Sequence, residues 1–256
     1  MLKLALVQRA SSLDPAENRD ALGGVDDLDP DIDLVVFPEV FMRDFGKPGS
    51  LVGEFAEPLD GPFVERLTGL AKANEVTIVA GMFERSEDPD RPYNTLVVVD
   101  GNGLLTSYRK IHLYDSFGYK ESESLLAGPI EPVVVDVGGL SIGLMTCYDL
   151  RFPELARELT KRGAELVLVP AAWVAGPGKV EHWRTLAKAR AIENTVFVAA
   201  VGQPGPRYTG HSLVVGPDGE LLAEIGDGEL VATARVATDL LDKVRANNPS
   251  LANRRF

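Results

Sequence analysis

Cys147 is the only cysteine in 256 residues, and it stands where an apolar run gives way to a helix-like segment. Leu140-Ser-Ile-Gly-Leu-Met145 reads as a strand, and Pro153 suits the first turn of a helix, where its missing N–H costs nothing. A thiol in that bend meets unpaired backbone N–H groups and the positive end of a helix dipole. Both favour the thiolate, which is the nucleophilic form. The competing reading is a small apolar residue that fills a core.

Three other residues could complete a reaction centre. Glu39 follows Leu34-Val-Val-Phe-Pro38, at the C-terminal end of a buried strand, where open α/β sheets place ligands. A carboxylate there is a candidate general base. Lys110 closes the run Leu104-Leu-Thr-Ser-Tyr-Arg-Lys110, and strand alternation turns it away from Arg109. A lysine near a reacting carbonyl would stabilise an oxyanion. Glu121 lies in the loop that follows, with Glu123 an equal candidate by position. The three histidines, His112, His182 and His211, lack metal-ligand spacing. His112 or His211 could pair with the cysteine as in papain-like enzymes, although structural hydrogen bonding accounts for each as well. Gly176-Pro-Gly-Lys179 lacks the spacing of a phosphate-binding loop.

The elements that must position these groups are legible as periodic runs. Strand-like segments fall at 2–8, 33–37, 76–82, 94–100, 104–109, 132–137, 140–145, 165–170, 195–201, 211–216, 220–225 and 229–236. Helix-like segments fall near 15–28, 61–74, 153–162, 179–194 and 238–246. Continuously apolar runs such as Leu166-Val-Leu-Val169 fit strands buried on both faces. Their alternation with helices predicts a layered α/β fold. Two echoes suggest comparable halves: Asp33-Leu-Val-Val-Phe-Pro38 with Glu165-Leu-Val-Leu-Val-Pro170, and Asn94-Thr-Leu-Val-Val with His211-Ser-Leu-Val-Val. With no linker-like stretch, residues 1–256 are expected to form one domain.

Composition narrows the function. A net charge of −12, with no dense basic run, argues against nucleic acid or an anionic membrane as partner. No apolar run approaches the ~20 residues of a membrane span. The N-terminus alternates like a first strand and not like a signal peptide. One cysteine excludes an intramolecular disulfide and suits a cytoplasmic, reducing compartment.

Taken in order, Phe37-Pro-Glu39, Tyr108-Arg-Lys110-Ile-His-Leu, Tyr119-Lys-Glu121-Ser and Cys147-Tyr-Asp-Leu-Arg-Phe-Pro-Glu154 resemble the nitrilase superfamily of carbon–nitrogen hydrolases. The extended cysteine segment is most similar to the omega-amidase and deaminated-glutathione amidase branch. The resemblance implies a four-layer α/β/β/α sandwich, assembled as a homodimer or larger homo-oligomer. It also implies a thioester mechanism that needs no metal or organic cofactor. Glu39 would be the base and Cys147 the nucleophile. Lys110 and the backbone N–H of Tyr148 would hold the oxyanion, and Glu39 or Glu121 would assist water. The substrate would be a small carboxylate-bearing amide, with Arg151, Lys179 or Arg207 as candidate carboxylate partners and Trp173 as a wall. Arg151 could instead orient the cysteine turn through hydrogen bonds. One departure from the family is the short interval of residues 111–120 between Lys110 and Glu121, where related amidases carry a longer loop. The rival enzymes are a nitrilase or an N-carbamoyl hydrolase with the same residues. The non-enzymatic rival is a binding or regulatory module; a redox sensor lacks a resolving cysteine in the chain.

Overall fold

The computed structural model describes residues 1–255. Two six-stranded sheets form its centre. The first contains β1 (Leu2–Gln8), β2 (Leu34–Val36), β3 (Thr77–Glu84), β4 (Tyr93–Asp100), β5 (Gly103–Arg109) and β14 (Leu230–Val236). A short hairpin, β6 (Asp115–Ser116) and β7 (Tyr119–Lys120), follows β5. The second sheet contains β8 (Val134–Val137), β9 (Leu140–Leu144), β10 (Leu166–Ala171), β11 (Phe197–Gly202), β12 (Leu213–Val215) and β13 (Leu221–Glu224).

The sheets share one plan. In the order β14-β1-β2-β3-β4-β5, the three strands β1, β2 and β3 are parallel and the flanking strands antiparallel. The order β8-β9-β10-β11-β12-β13 repeats this around β9, β10 and β11. Both sequence echoes therefore fall on matching strands, β2 with β10 and β4 with β12. Even the bonds that lead into β2 and β10 match: Asp33 N donates to Lys3 O at 2.9 Å, and Glu165 N donates to Ser141 O at 2.8 Å.

Strand alternation explains the layers. Leu2, Leu4 and Leu6 of β1 pack in a cluster with Leu166, Val167 and Leu168 of the second sheet. Ala5 and Val7, on the opposite face, pack with Phe63, Leu67 and Leu70 of α2 (Pro62–Asn74). That outer layer also holds α1 (Pro15–Ala21), extended by a 3₁₀ segment over Leu22–Asp27. Helices α3 (Pro153–Lys161) and α4 (Lys179–Asn194) cover the second sheet with Leu155, Leu159, Trp183 and Ala187. The final helix, α5 (Thr238–Asn247), adds Leu241 to the same cluster. The arrangement is the expected α/β/β/α sandwich. No helix among the described residues is long and apolar enough to cross a membrane.

Candidate active site

The site lies at the carboxyl ends of the parallel strands, with one wall from each sheet. Glu39 occupies the turn after β2, where Val40 takes a left-handed φ of 47°. That turn passes so close to β3 that a Cβ on Gly81 would stand 2.2 Å from Val40 N. Only glycine permits the approach. Lys110 follows β5 directly. As strand alternation predicts, Arg109 turns the other way and grips buried Glu84 through bonds of 2.9 and 2.6 Å. The β6–β7 hairpin spans the short interval after Lys110 and returns the chain to Glu121, which is buried while Glu123 is exposed.

These three charges meet out of water. Lys110 Nζ donates to Glu39 Oε1 at 2.9 Å and to both Glu121 oxygens at 3.0 and 2.9 Å. Burial opposes the Lys110 charge, but Glu121 and Glu39 outweigh it and hold the ammonium well above its ordinary range. Burial pushes Glu121 up, Lys110 opposes this, and Glu39 adds to the push. The Tyr114 backbone N–H also donates to Glu121. Glu39 Oε2 accepts from Ala172 N at 2.7 Å, across the sheet interface, and Gln203 Nε2 donates to its backbone carbonyl at 3.0 Å.

Cys147 comes from the second sheet, after β9. It opens a separate 3₁₀ turn, Cys147–Arg151, with a left-handed φ of 47°, and α3 begins only at Pro153. The expected helix-dipole activation of the thiol is therefore corrected. Burial pushes the Cys147 thiol well up, Glu39 and Glu121 add to the effect, and Lys110 opposes it. In this setting the thiol form is favoured over the thiolate. Asp149 fixes the turn. It accepts from Thr146 N at 2.9 Å, Tyr108 Oη at 2.6 Å and His112 N at 3.1 Å, and it meets His112 Nδ1 at 2.7 Å. His112 thus serves Asp149 and not Cys147. The His211 ring does not line the cysteine cavity either, and its Nδ1 lies 3.3 Å from Arg184 Nη2.

The sulfur faces a cavity of about 390 Å³ lined by Glu39, Lys110, Glu121, Cys147 and an aromatic wall of Tyr114, Phe117, Tyr119, Tyr148 and Trp173. Tyr148 is the residue after the cysteine, and its ring meets Tyr114 edge-on at 5.0 Å. Arg151 lines the cavity with its guanidinium 4.8 Å from the Trp173 ring centroid. Its buried Nε and Nη2 have no hydrogen-bond partner. It does not brace the cysteine turn; Arg190 does, donating to Leu150 O at 3.0 Å. Lys179, at the start of α4, places Nζ 3.9 Å from the Phe117 ring centroid and 3.3 Å from Tyr114 Oη. Burial and the nearby Arg151 charge lower its pKa. Arg207 also lines the cavity but is already paired with Asp44, which accepts from Tyr208 Oη at 2.6 Å as well.

Sequence reasoning did not single out Asn94, Asp149 or Asp44. Asp149 lay inside the cysteine motif, where an acidic residue three positions beyond Thr146 is a capping-box signal. Asn94 opened a sequence echo but gave no sign of its contact. The carbon–nitrogen hydrolase family model matches residues 3–246. The chain belongs to the carbon–nitrogen hydrolase family. Within that family it is 38% identical to a deaminated glutathione amidase of Escherichia coli O157:H7, over 88% of this chain and 86% of the relative. The fold matches XC1258 of Xanthomonas campestris, a superfamily member solved with an arsenic adduct in its active site. The TM-score is 0.89 at 33% identity, covering 100% of this chain and 97% of that one. It also matches a mutant of the Nesterenkonia sp. AN1 amidase in which acrylamide has added to the active-site cysteine. There the TM-score is 0.79 at 29% identity, with 96% and 98% covered. This carbon–nitrogen hydrolase thus sits among amidases of the nitrilase superfamily.

Proposed function

We propose that the protein is an omega-amidase-like enzyme that hydrolyses a small amide with a distal carboxylate, through a thioester on Cys147. The observation that carries this reading is the meeting of Glu39, Lys110 and Glu121 beside the sole thiol, in a cavity where Arg151 holds unpaired donors. Glu39 takes the thiol proton as sulfur attacks the amide carbonyl. Lys110 and the Tyr148 backbone N–H hold the oxyanion; losing one such donor typically costs ~10²–10³ in rate. The C–N bond breaks and ammonia, or the amine of a substituted amide, leaves with the proton from Glu39. Water then attacks the thioester, Glu39 accepts its proton and returns it to sulfur. The sum is amide plus water to acid plus ammonia, or plus amine where the amide nitrogen is substituted. Glu121, bonded through both oxygens, anchors Lys110.

Arg151 is the first choice for the substrate carboxylate and Lys179 the second. Arg207 is less suited because Asp44 already neutralises it. Residues 1–256 are read as one catalytic domain of a cytoplasmic enzyme, and the homodimer implied by the family pattern is measurable by light scattering. The test is a panel of dicarboxylic acid monoamides and deaminated glutathione beside matched nitriles and N-carbamoyl acids, with mass spectrometry of Cys147. Turnover of the carboxylate amides with an acyl adduct on Cys147, both abolished in Cys147→Ala, is expected. Turnover of nitriles alone overturns the amidase assignment. A thiol no more reactive than one in an unfolded peptide, without turnover of any class, overturns the enzymatic one.

A further inference from the structure

Asn94 is the second residue of β4 and is fully buried. Its Nδ2 donates to Glu39 Oε1 at 2.7 Å and reaches Glu121 Oε1 at 3.4 Å. Its backbone carbonyl accepts from Lys110 N at 2.8 Å. One residue thereby touches three of the four groups that make the reaction centre. With two carboxylates in front of it, the amide can present only its NH₂ side. Its Oδ1 is buried without a partner. An unpaired buried carbonyl costs stability, so stability alone does not account for this placement.

The acceptor count on Glu39 gives the placement a purpose. A carboxylate has about four acceptor positions. Oε1 takes Lys110 and Asn94, and Oε2 takes Ala172 N. The position that remains belongs to Oε2. We infer that Asn94 is a positioning residue that, together with Lys110, saturates Glu39 Oε1 and commits the base to take the Cys147 proton on Oε2. The inference deepens the amidase reading and rests on it for the identity of the base. The proton moves from Sγ to Oε2, the S–H electron pair becomes the nucleophile, and no further reactant is needed.

The titratable groups that face Glu39 are Lys110 after β5, Glu121 after the hairpin, Cys147 after β9 and Tyr208. All of them remain in place when Asn94 is changed to a neutral residue, and only Glu121 loses a contact, the longer of the two that the amide makes. Removing its donor withdraws support from the charged carboxylate and frees Oε1. The experiment measures the rate of Cys147 alkylation by iodoacetamide against pH, with kcat and KM on the best amide, in wild type, Asn94→Ala and Asn94→Leu. Asn94→Ala is expected to move the acid limb of alkylation about one unit higher, so that at a given pH on that limb it alkylates about tenfold more slowly. Its kcat falls about 10–10²-fold with KM near wild type. Asn94→Leu keeps most of the volume without the amide donor and adds no charge, moves the limb in the same direction, and decides the matter if Asn94→Ala does not fold. A folded variant whose acid limb stays in place overturns the proposal, even if its melting temperature drops. Were wild type to hydrolyse no amide, the amidase reading would fail, yet the alkylation profiles would still test Asn94.

Discussion

At the scale of single residues, the site separates groups that hold charge from groups that wait for it. Lys110 is neutralised by two carboxylates, whereas Arg151 faces the cavity with donors to spare. A substrate carboxylate that reaches Arg151 and Lys179 gains charge-assisted bonds of roughly 1.5–3 kcal/mol each. Arg151→Ala is therefore expected to raise KM for carboxylated amides by about 10- to 100-fold. Turnover of an uncharged amide of equal length stays near wild type. Equal losses on both substrates would remove Arg151 from substrate recognition. Cys147 and Glu39 were legible because each follows an apolar run, the place where a sheet exposes side chains to a ligand, and Lys110 because it closes a strand whose alternation turns it away from Arg109. Asn94 was not, because its role depends on a carboxylate 55 residues away, and local sequence carries no trace of that.

At the scale of elements, the backbone is bent to aim the base. The left-handed Val40 and the side-chain-free Gly81 are two halves of one close approach. Gly81→Ala must push the Glu39 turn off β3. The expected loss is at least ~2 kcal/mol of stability by urea unfolding, typical of core overpacking. At permissive temperature kcat also falls, because an ångström of displacement at the base slows proton transfer. Full activity in the folded variant would show that Glu39 tolerates movement. Long strands and helices were legible from periodicity. The β6–β7 hairpin was not, since two-residue strands have no period. Helix α1 ends at Ala21 and tightens into a 3₁₀ segment through Gly23-Gly24, poor helix formers that cut short the run read from 15 to 28.

At the scale of the molecule, burial of ionisable groups sets the alkaline limit. Burial, reinforced by Asp149, raises Tyr108 well above its ordinary value of 10.0, and burial with Asp44 does the same for Tyr208. Lys110 is held above 10.5. The native state keeps these protons at pH values where the unfolded chain releases them. Stability is thus level below pH 10 for these groups and falls above it, by about 1.4 kcal/mol per pH unit for each one. Urea unfolding between pH 9 and about pH 11 checks this; an unchanged free energy across that interval would contradict it. Tyr208→Phe should flatten the slope by one group. The layered fold was legible in the alternation of strands and helices. The pairing of equivalent strands was foreshadowed by two short echoes whose meaning required the sheet orders.

The bond from Ala172 N to Glu39 joins residues 133 positions apart, and the one from Gln203 to the same residue spans 164. Strand β14 closes the first sheet against β1, pairing Val236 with Leu2. Such distant contacts form late, after the entropy of long loops has been overcome. A refolding chain can therefore regain most of its helix and strand signal while its sulfur is still chemically ordinary. Recovery of catalysis then works as a clock for the final seating of one sheet on the other.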